Sequence, residues 1–341
     1  MNKLEEIVRG FSQKRILVVG DLIADQFVYG EISRVSREAP VFILRHEHTE
    51  TTPGGAGNCA ANLAALGARV TLISVVGDDE PGRTLVEKLR HARVGCDTVL
   101  TSSAHRTTTK VRVLAGQIHS TRQQVIRIDY DNEAALGDAV KVHLRSTVMK
   151  AASGVDAVII SDYNYGAADP EIGAVIREAT QTRKVPVLVD SRFRLSSFPG
   201  FTSATPNEDE VEKLLGAEHT NEAVLESAAE QLRQRLGYQA LLVTRGSHGM
   251  TLIDGGAKPL HFDAVGSRLP VDVTGAGDTV IATYALGLAS GGSFADAARL
   301  ANFAGGIVVM KRGTATINAE ELLLALQHDL NKPKENRQLE Y

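Results

Sequence analysis

Short, continuous apolar runs alternate with helix-patterned stretches along most of this chain, and no other feature constrains its fold as strongly. The runs are Ile16-Leu17-Val18-Val19, Val70 to Val76, Val158-Ile159-Ile160, Val185 to Val189 and Ala240-Leu241-Leu242-Val243. A strand that is apolar at successive positions must be covered on both faces, as in a parallel sheet with helices on either side. Helices are predicted at about 56–66, 81–90, 168–182, 208–215 and 222–236. The expected fold is α/β, a doubly wound and mostly parallel sheet with helices on both faces. Ligands of such sheets lie beyond the carboxyl ends of the strands. Asp21, Asp162 and Asp190 each follow one of the apolar runs.

A second feature carries chemistry. The run Asp272-Val273-Thr274-Gly275-Ala276-Gly277-Asp278 precedes an apolar, helix-like stretch from Thr279 to Leu288. Two glycines and an alanine leave backbone almost bare, so N–H groups can approach an anion. A helix starting there adds its free N–H groups and the positive end of its dipole. Phosphoryl transfer to a hydroxyl needs such a cradle beside a base. Gly275, Ala276 and Gly277 are the candidate donors, and Asp278 is the candidate general base. A glycine-rich turn with a capping aspartate is the plainer alternative.

Composition narrows the function classes. The chain has 341 residues, 43% hydrophobic and 23% charged, enough for a sizeable core. With 37 Lys and Arg against 41 Asp and Glu, the net charge of −4 weighs against a nucleic-acid partner. No apolar run approaches the ~20 residues of a membrane span, and residues 1–13 lack a signal-peptide core. A cytoplasmic protein without a membrane partner is expected. Cys59 and Cys96 read as buried thiols in a reducing compartment.

Further motifs support a family reading. Gly54-Gly55-Ala56-Gly57-Asn58 opens a helix of small residues. With the Gly275–Asp278 loop, in this order, it resembles the two signatures of the ribokinase-like (PfkB) carbohydrate kinases. Asn207-Glu208-Asp209-Glu210 resembles that family's Asn-x-x-Glu motif, and Val243 to Gly249 its nucleotide-binding turn. The resemblance covers roughly residues 14–326. It implies ATP as phosphoryl donor and Mg²⁺ organised by Asn207 and Glu210, partly through water. It places Thr244, Gly246 and Gly249 near the ATP phosphates and ribose, and Asn302 beside adenine. It assigns Asp21, Asp25, Gly54, Gly55 and Asn58 to the sugar pocket, where aspartate and asparagine oxygens accept hydrogen bonds from hydroxyl pairs. Carbonyls near Asp272 and from Met310 to Thr314 would hold a monovalent cation such as K⁺. Plainer readings stay open: an acidic first helical turn for Asn207–Glu210, a core stripe for Asn302, and a turn residue for Asp21.

Within the family, Ser36-Arg37-Glu38-Ala39-Pro40, Pro53 to Asn58, Thr109-Lys110-Val111-Arg112 and Ser161-Asp162-Tyr163 resemble the heptose-7-phosphate kinases. Those enzymes phosphorylate the C1 hydroxyl of D-glycero-D-manno-heptose 7-phosphate on the route to ADP-heptose for lipopolysaccharide. The likeness puts Asp162 among the substrate residues. A phosphorylated sugar needs cations, and Lys110, Arg112, Arg127, Arg192 and Arg194 are the candidates. Each is also readable as a solvated surface charge. Two departures stand out. Tyr165 occupies a position where lysine is expected before Gly166, and Asp190-Ser191-Arg192-Phe193 replaces the usual Asp-Pro-Lys-Gly. Arg192 or Arg194 could restore the charge; otherwise the substrate is another sugar. No His-x-Gly-His motif follows, so the nucleotidyltransferase activity fused to some heptose kinases is not expected. The alternatives are a kinase for another sugar, sugar phosphate or nucleoside, and a non-catalytic sugar- or nucleotide-sensing protein.

Two segments, about 26–51 and 107–130, look like strands without intervening helices, the second with a polar turn around Gly116. They are expected to form a small β lid over the active site, as the resemblance also implies; a pair of surface hairpins is the alternative. One domain is expected over 1–330, with a polar tail at 331–341. Val41 and Ile43 alternate with Phe42 and Leu44, putting apolar side chains on both faces of one strand. One face can cover the sugar. The other needs a cover, and a homodimer through the lids supplies it. A monomer with its lid packed on its own large domain is the alternative.

Overall fold

The computed structural model describes residues 2–331 apart from 117–121, 133–134, 217–220, 257 and 267–268. The chain opens with α1 (Lys3–Arg9) and β1 (Arg15–Gly20), then two long strands, β2 (Leu22–Val35) and β3 (Phe42–Gly55). Next come α2 (Ala56–Ala65), β4 (Arg69–Gly77), α3 (Glu80–His91), β5 (Val94–Gly95) and β6 (Val99–Ser102). A second excursion makes β7 (Thr109–Gly116) and β8 (Gln123–Tyr130). Then follow α4 (Asp138–Ala151), β9 (Ala157–Asp162), α5 (Pro170–Thr180), β10 (Val187–Ser191), β11 (Ser203–Ala204), α6 (Glu208–Leu215) and α7 (Glu222–Leu236). The rest is β12 (Ala240–Thr244), β13 (Met250–Asp254), β14 (Leu260–Phe262), α8 (Ala276–Ala289), α9 (Phe294–Val308) and α10 (Ala319–Asn331).

The main sheet runs β14-β13-β12-β11-β10-β9-β1-β4-β5, with β6 beside β4. It is parallel from β12 to β5, and β13 and β14 add an antiparallel edge. The apolar runs are the reason. Five of the six residues of β1 and all six of β9 are buried. Successive side chains of a strand point to opposite faces. Ile16 and Val18 therefore pack with Ile281 and Leu286 of α8 in one core, while Leu17 and Val19 join Leu144 of α4, Ile176 of α5 and Leu232 of α7 in the other. Cys59 and Cys96 are buried free thiols.

Capping residues set where the expected helices start. Asp169 Oδ1 accepts a hydrogen bond from Ile172 N at 2.7 Å and Pro170 takes the first helical position, so α5 starts two residues later than the pattern suggests. Asp79 caps α3 through Gly82 N at 2.9 Å, and that helix starts at Glu80, one residue earlier than the pattern suggests.

The two segments without helices form one separate sheet, β3-β2-β7-β8. β2 pairs antiparallel with β3 and parallel with β7, which joins the excursions into one lid instead of leaving two hairpins. The lid also reaches further than 26–51: β2 starts at Leu22, just past Asp21, and β3 ends at Gly55, against α2. Pro53, Gly54 and Gly55 hide the end of β3 from a reading by strand propensity. The lid thus grows out of the place where strand order reverses, with β4 on one side of β1 and β9 on the other. The turn around Gly116 continues into residues outside the described set, and so does the polar tail. Among the described residues no helix is long and apolar enough to cross a membrane.

Candidate active site

Asp278 lies in the first turn of α8, behind Gly275 in the left-handed conformation at φ 76°. A Cβ on Gly275 would sit 2.2 Å from Asn58 Nδ2, so only glycine fits both the backbone angle and the neighbour. Asn58 Nδ2 donates to Gly275 O at 3.2 Å and to Asp278 Oδ2 at 2.8 Å, tying the two glycine motifs together across the molecule. The Tyr163 hydroxyl donates to Asp278 Oδ1 at 3.0 Å. Asp278 is 4% exposed. Burial pushes its carboxyl up to about 7, Asp25 adds to the rise, and Asn58, Tyr163 and Lys110 oppose it. A base with that affinity takes a proton efficiently near neutral pH.

The cradle differs in one detail from expectation. Ala276 N donates to Val273 O at 3.2 Å and so closes the turn instead of facing an anion. Gly277 opens on free space, since a Cβ there would meet nothing within 4 Å.

Asp21 ends β1, but its carboxylate is engaged by backbone. Oδ2 accepts from Tyr163 N at 2.8 Å and Tyr165 N at 3.0 Å, and Oδ1 from Ala167 N at 2.8 Å. It holds the loop after β9, and burial raises its pKa to about 6. Asp25, on β2, is buried and takes Arg112 Nη1 at 2.5 Å. Gly54 lets this carboxylate approach: a Cβ there would lie 2.2 Å from Asp25 Oδ2. Gly55 opens α2 beside Asp21 O and the Tyr163 ring. Lys110, paired in register with Asp25, holds its ammonium 5.7 Å from the ring centres of both Tyr163 and Tyr165. Burial lowers its pKa against the pull of Asp25.

Asp162 and Arg194 leave the site. The Asp162 side chain is fully buried and accepts from Ser191 Oγ at 2.6 Å, Asn164 N at 3.0 Å and the Arg194 guanidinium. Arg194 Nη2 also reaches Ala168 O at 2.9 Å. The pair is a strut between β9 and the loop after β10. Arg127 is held on the lid by Asp129 at 2.7 and 2.8 Å. Arg192 is different: its side chain is 58% exposed and Nη1 lies 3.9 Å from Glu210 Oε1. Asp190, at the end of β10, has its pKa raised well above the ordinary value by burial and by Asp278 and Glu210.

Asn207 and Glu210 form a reciprocal cap on α6. Asn207 Oδ1 accepts from Glu210 N at 2.8 Å, and Glu210 Oε2 from Asn207 N at 3.0 Å. The acidic first turn is therefore real, and it fixes one oxygen of Glu210 while Oε1 lies toward Arg192. Burial raises the Glu210 carboxyl. Besides burial, Asp278 and Glu210 raise Asp190 while Arg192 lowers it, and such a gathering of carboxylate oxygens suits a hard divalent cation. Thr244 bridges to Asn207, with Thr244 N donating to Pro206 O at 3.0 Å. This sets the Gly246–His248 turn beside α6, and Arg245 N closes it on Gly249 O at 2.9 Å. Asn302 Nδ2 donates to Asp263 O at 2.7 Å, pinning the loop after β14. Asp272 joins the cation stretches expected from sequence: Oδ1 takes Thr274 N and Oδ2 takes Gly313 N, each at 2.9 Å.

A doubly wound sheet with a β lid, a buried carboxylate in the first turn of a helix, and a glycine turn beside an acidic cap define a phosphotransferase of the ribokinase-like fold. The chain matches the model of the pfkB family carbohydrate kinases over residues 13–321 and belongs to that family. It is 37% identical over 340 residues to the bifunctional protein HldE of Trichlorobacter lovleyi, covering 98% of this chain and 68% of that one. It is 42% identical over 322 residues to HldE of Nitrosococcus oceani, covering 93% and 64%. The chain thus spans about two thirds of the length of the curated relatives it matches. The fold is shared with Arabidopsis thaliana ribokinase, solved with ribose and ATP (TM-score 0.72, 21% identity, 92% of this chain and 99% of that one). It is shared also with Escherichia coli phosphofructokinase-2 in complex with potassium (TM-score 0.74, 20% identity, 92% and 98%).

Sequence reasoning missed the contact between Tyr163 and Asp278, although Ser161-Asp162-Tyr163 was in view. An aromatic residue two positions past a strand gives no sign that its hydroxyl meets a helix more than a hundred residues on. It also missed the Lys110–Tyr165 contact, since register between β2 and β7 is a tertiary fact.

Proposed function

We propose that this chain is an ATP- and Mg²⁺-dependent kinase of a phosphorylated sugar, with the C1 hydroxyl of D-glycero-D-manno-heptose 7-phosphate as the leading acceptor. The observation that carries the reading is Asp278, buried, held by donors on both oxygens and pushed up to about 7 at the mouth of a helix N-terminus. In this mechanism Asp278 accepts the hydroxyl proton as that oxygen attacks the γ-phosphorus, and the bond from that phosphorus to the β,γ-bridging oxygen breaks, so that ADP leaves with the electron pair. The Gly277 N–H, where the start of α8 opens on free space, meets the charge that develops on the phosphoryl oxygens. Mg²⁺, organised by Asn207 and Glu210 partly through water, would neutralise phosphate charge. Thr244, Gly246 and Gly249 hold the triphosphate side, and the backbone around Asp272 and Gly313 suits a monovalent cation such as K⁺.

Asp25, Gly54, Gly55 and Asn58 face the sugar, and the lid closes over it. Lys110, 5.7 Å from the ring centres of Tyr163 and Tyr165, supplies positive charge where the lysine expected at 165 is missing. This is the support for a phosphorylated acceptor; the pairing of Arg112 with Asp25 leaves less charge for another anion. The changes at Tyr165 and Arg192 favour, as second reading, a different sugar phosphate on the same chemistry. A non-catalytic sensor is disfavoured, because it has no need of a tuned base. The enzyme works as a cytoplasmic homodimer through its lids.

Two measurements test the reading. A panel of phosphorylated and free sugars assayed for ADP release should give the highest kcat/KM with heptose 7-phosphate. Activity confined to unphosphorylated sugars would sink the assignment. Asp278→Asn, checked for folding by circular dichroism, should lose about 10²–10⁴-fold in kcat. Retention of more than about a tenth of the rate, far outside that range, removes Asp278 as the base.

A further inference from the structure

We propose that the Tyr163 hydroxyl is a positioning group for the base: by donating to Asp278 Oδ1, opposite Asn58 on Oδ2, it aims the carboxylate at the acceptor hydroxyl and favours its proton-accepting form. The inference rests on Asp278 being the base. Each carboxylate oxygen keeps acceptor capacity after one such bond, so the two donors restrict rotation without blocking proton uptake.

The tyrosine is itself well fixed. Tyr163 N donates to Asp21 Oδ2, and the same carboxylate anchors Tyr165 N and Ala167 N, so the loop after β9 is set by three backbone bonds. Burial, together with Asp278 and Asp190, keeps the phenol protonated and hence a donor. Other groups also act on Asp278. Asp25 from β2 raises its proton affinity and Lys110 from β7 lowers it. Asp190 at the end of β10 and Cys59 of α2 are further titratable neighbours. None of these caps Oδ1.

Tyr163→Phe removes the donor and keeps the ring beneath Lys110. A hydrogen bond to a carboxylate lowers its pKa, so its loss should move the acid limb of the kcat–pH profile up by about one unit. At pH 6 the rate should fall about tenfold, with KM for both substrates changed by less than about twofold. Incorporating 3-fluorotyrosine at 163 strengthens the donor and should move the limb the other way. This second variant keeps ring and hydroxyl, so it decides the matter if the phenylalanine variant fails to fold. An acid limb unmoved in either variant overturns the proposal. A raised sugar KM with an unmoved limb also overturns it, making Tyr163 a sugar contact. In an Asp278→Asn background the tyrosine change should have no further effect on kcat; an additive loss would refute action through the base. Should Asp278→Asn itself stay active, the base assignment fails, whereas an inactive Asp278→Asn with an unmoved limb fails Tyr163 alone.

Discussion

Arginines two positions apart have separate jobs here. Arg194 closes on a fully buried carboxylate, Asp162, and on Ala168 O, whereas Arg192 stays half in solvent beside Glu210. Removing one partner of a buried pair leaves an uncompensated charge, at a cost of about 3–5 kcal/mol. Arg194→Ala should therefore lower stability by roughly that amount. Arg192→Ala should stay within about 0.5 kcal/mol of wild type and act on kinetics, raising KM for the phosphorylated sugar more than for ATP. Thermal unfolding of the two variants side by side decides it; matching midpoints would contradict this division. The residue pattern offered both arginines as phosphate ligands, and only the packing of Asp162 separates them.

At the scale of elements, α6 combines a structural and a chemical role in one turn. Its reciprocal cap uses one oxygen of Glu210 and leaves Oε1 toward Arg192. Asn207→Ala should cost about 1 kcal/mol, the usual worth of an N-cap. By freeing Glu210 it should also raise the Mg²⁺ concentration needed for half-maximal rate. Denaturant unfolding and a Mg²⁺ titration of the same variant read the two effects separately. Unchanged Mg²⁺ dependence would leave the cap a purely structural device. The lid makes the converse point: its strands were legible, but parallel pairing of β2 with β7, which brings Lys110 level with Asp25, was not.

For the whole molecule, the lid exposes apolar surface that one chain leaves uncovered. Phe42 is 57% exposed and Ile126 52%, with Val41, Val125 and Ile128 also open. A four-stranded sheet with such faces and free edges invites pairing. A twofold-related lid would cover the apolar face and close the assembly. Sedimentation equilibrium at micromolar concentration should show a dimer. Phe42→Asp with Ile126→Asp should convert it to monomer with the large domain still folded. A wild-type monomer, or a dimer indifferent to both charges, would overturn this arrangement.

The sequence by itself determined the α/β layering, because strands apolar at successive positions have one stable solution, burial on both faces. It also determined the start of α6 after Asn207, since a cap acts within a few residues. Gly275, Gly277 and Asp278 stood out because a bare backbone beside a carboxylate is a local pattern. Other questions fell to tertiary structure alone. Asp21 carries a loop, Asp162 lies in a buried strut, Asn302 pins the chain after β14, and Tyr163 meets Asp278. Each depends on contacts between residues far apart in the chain. A carboxylate's letter is the same whether backbone amides, a guanidinium or open solvent face it, and those surroundings decide which aspartate can take a proton.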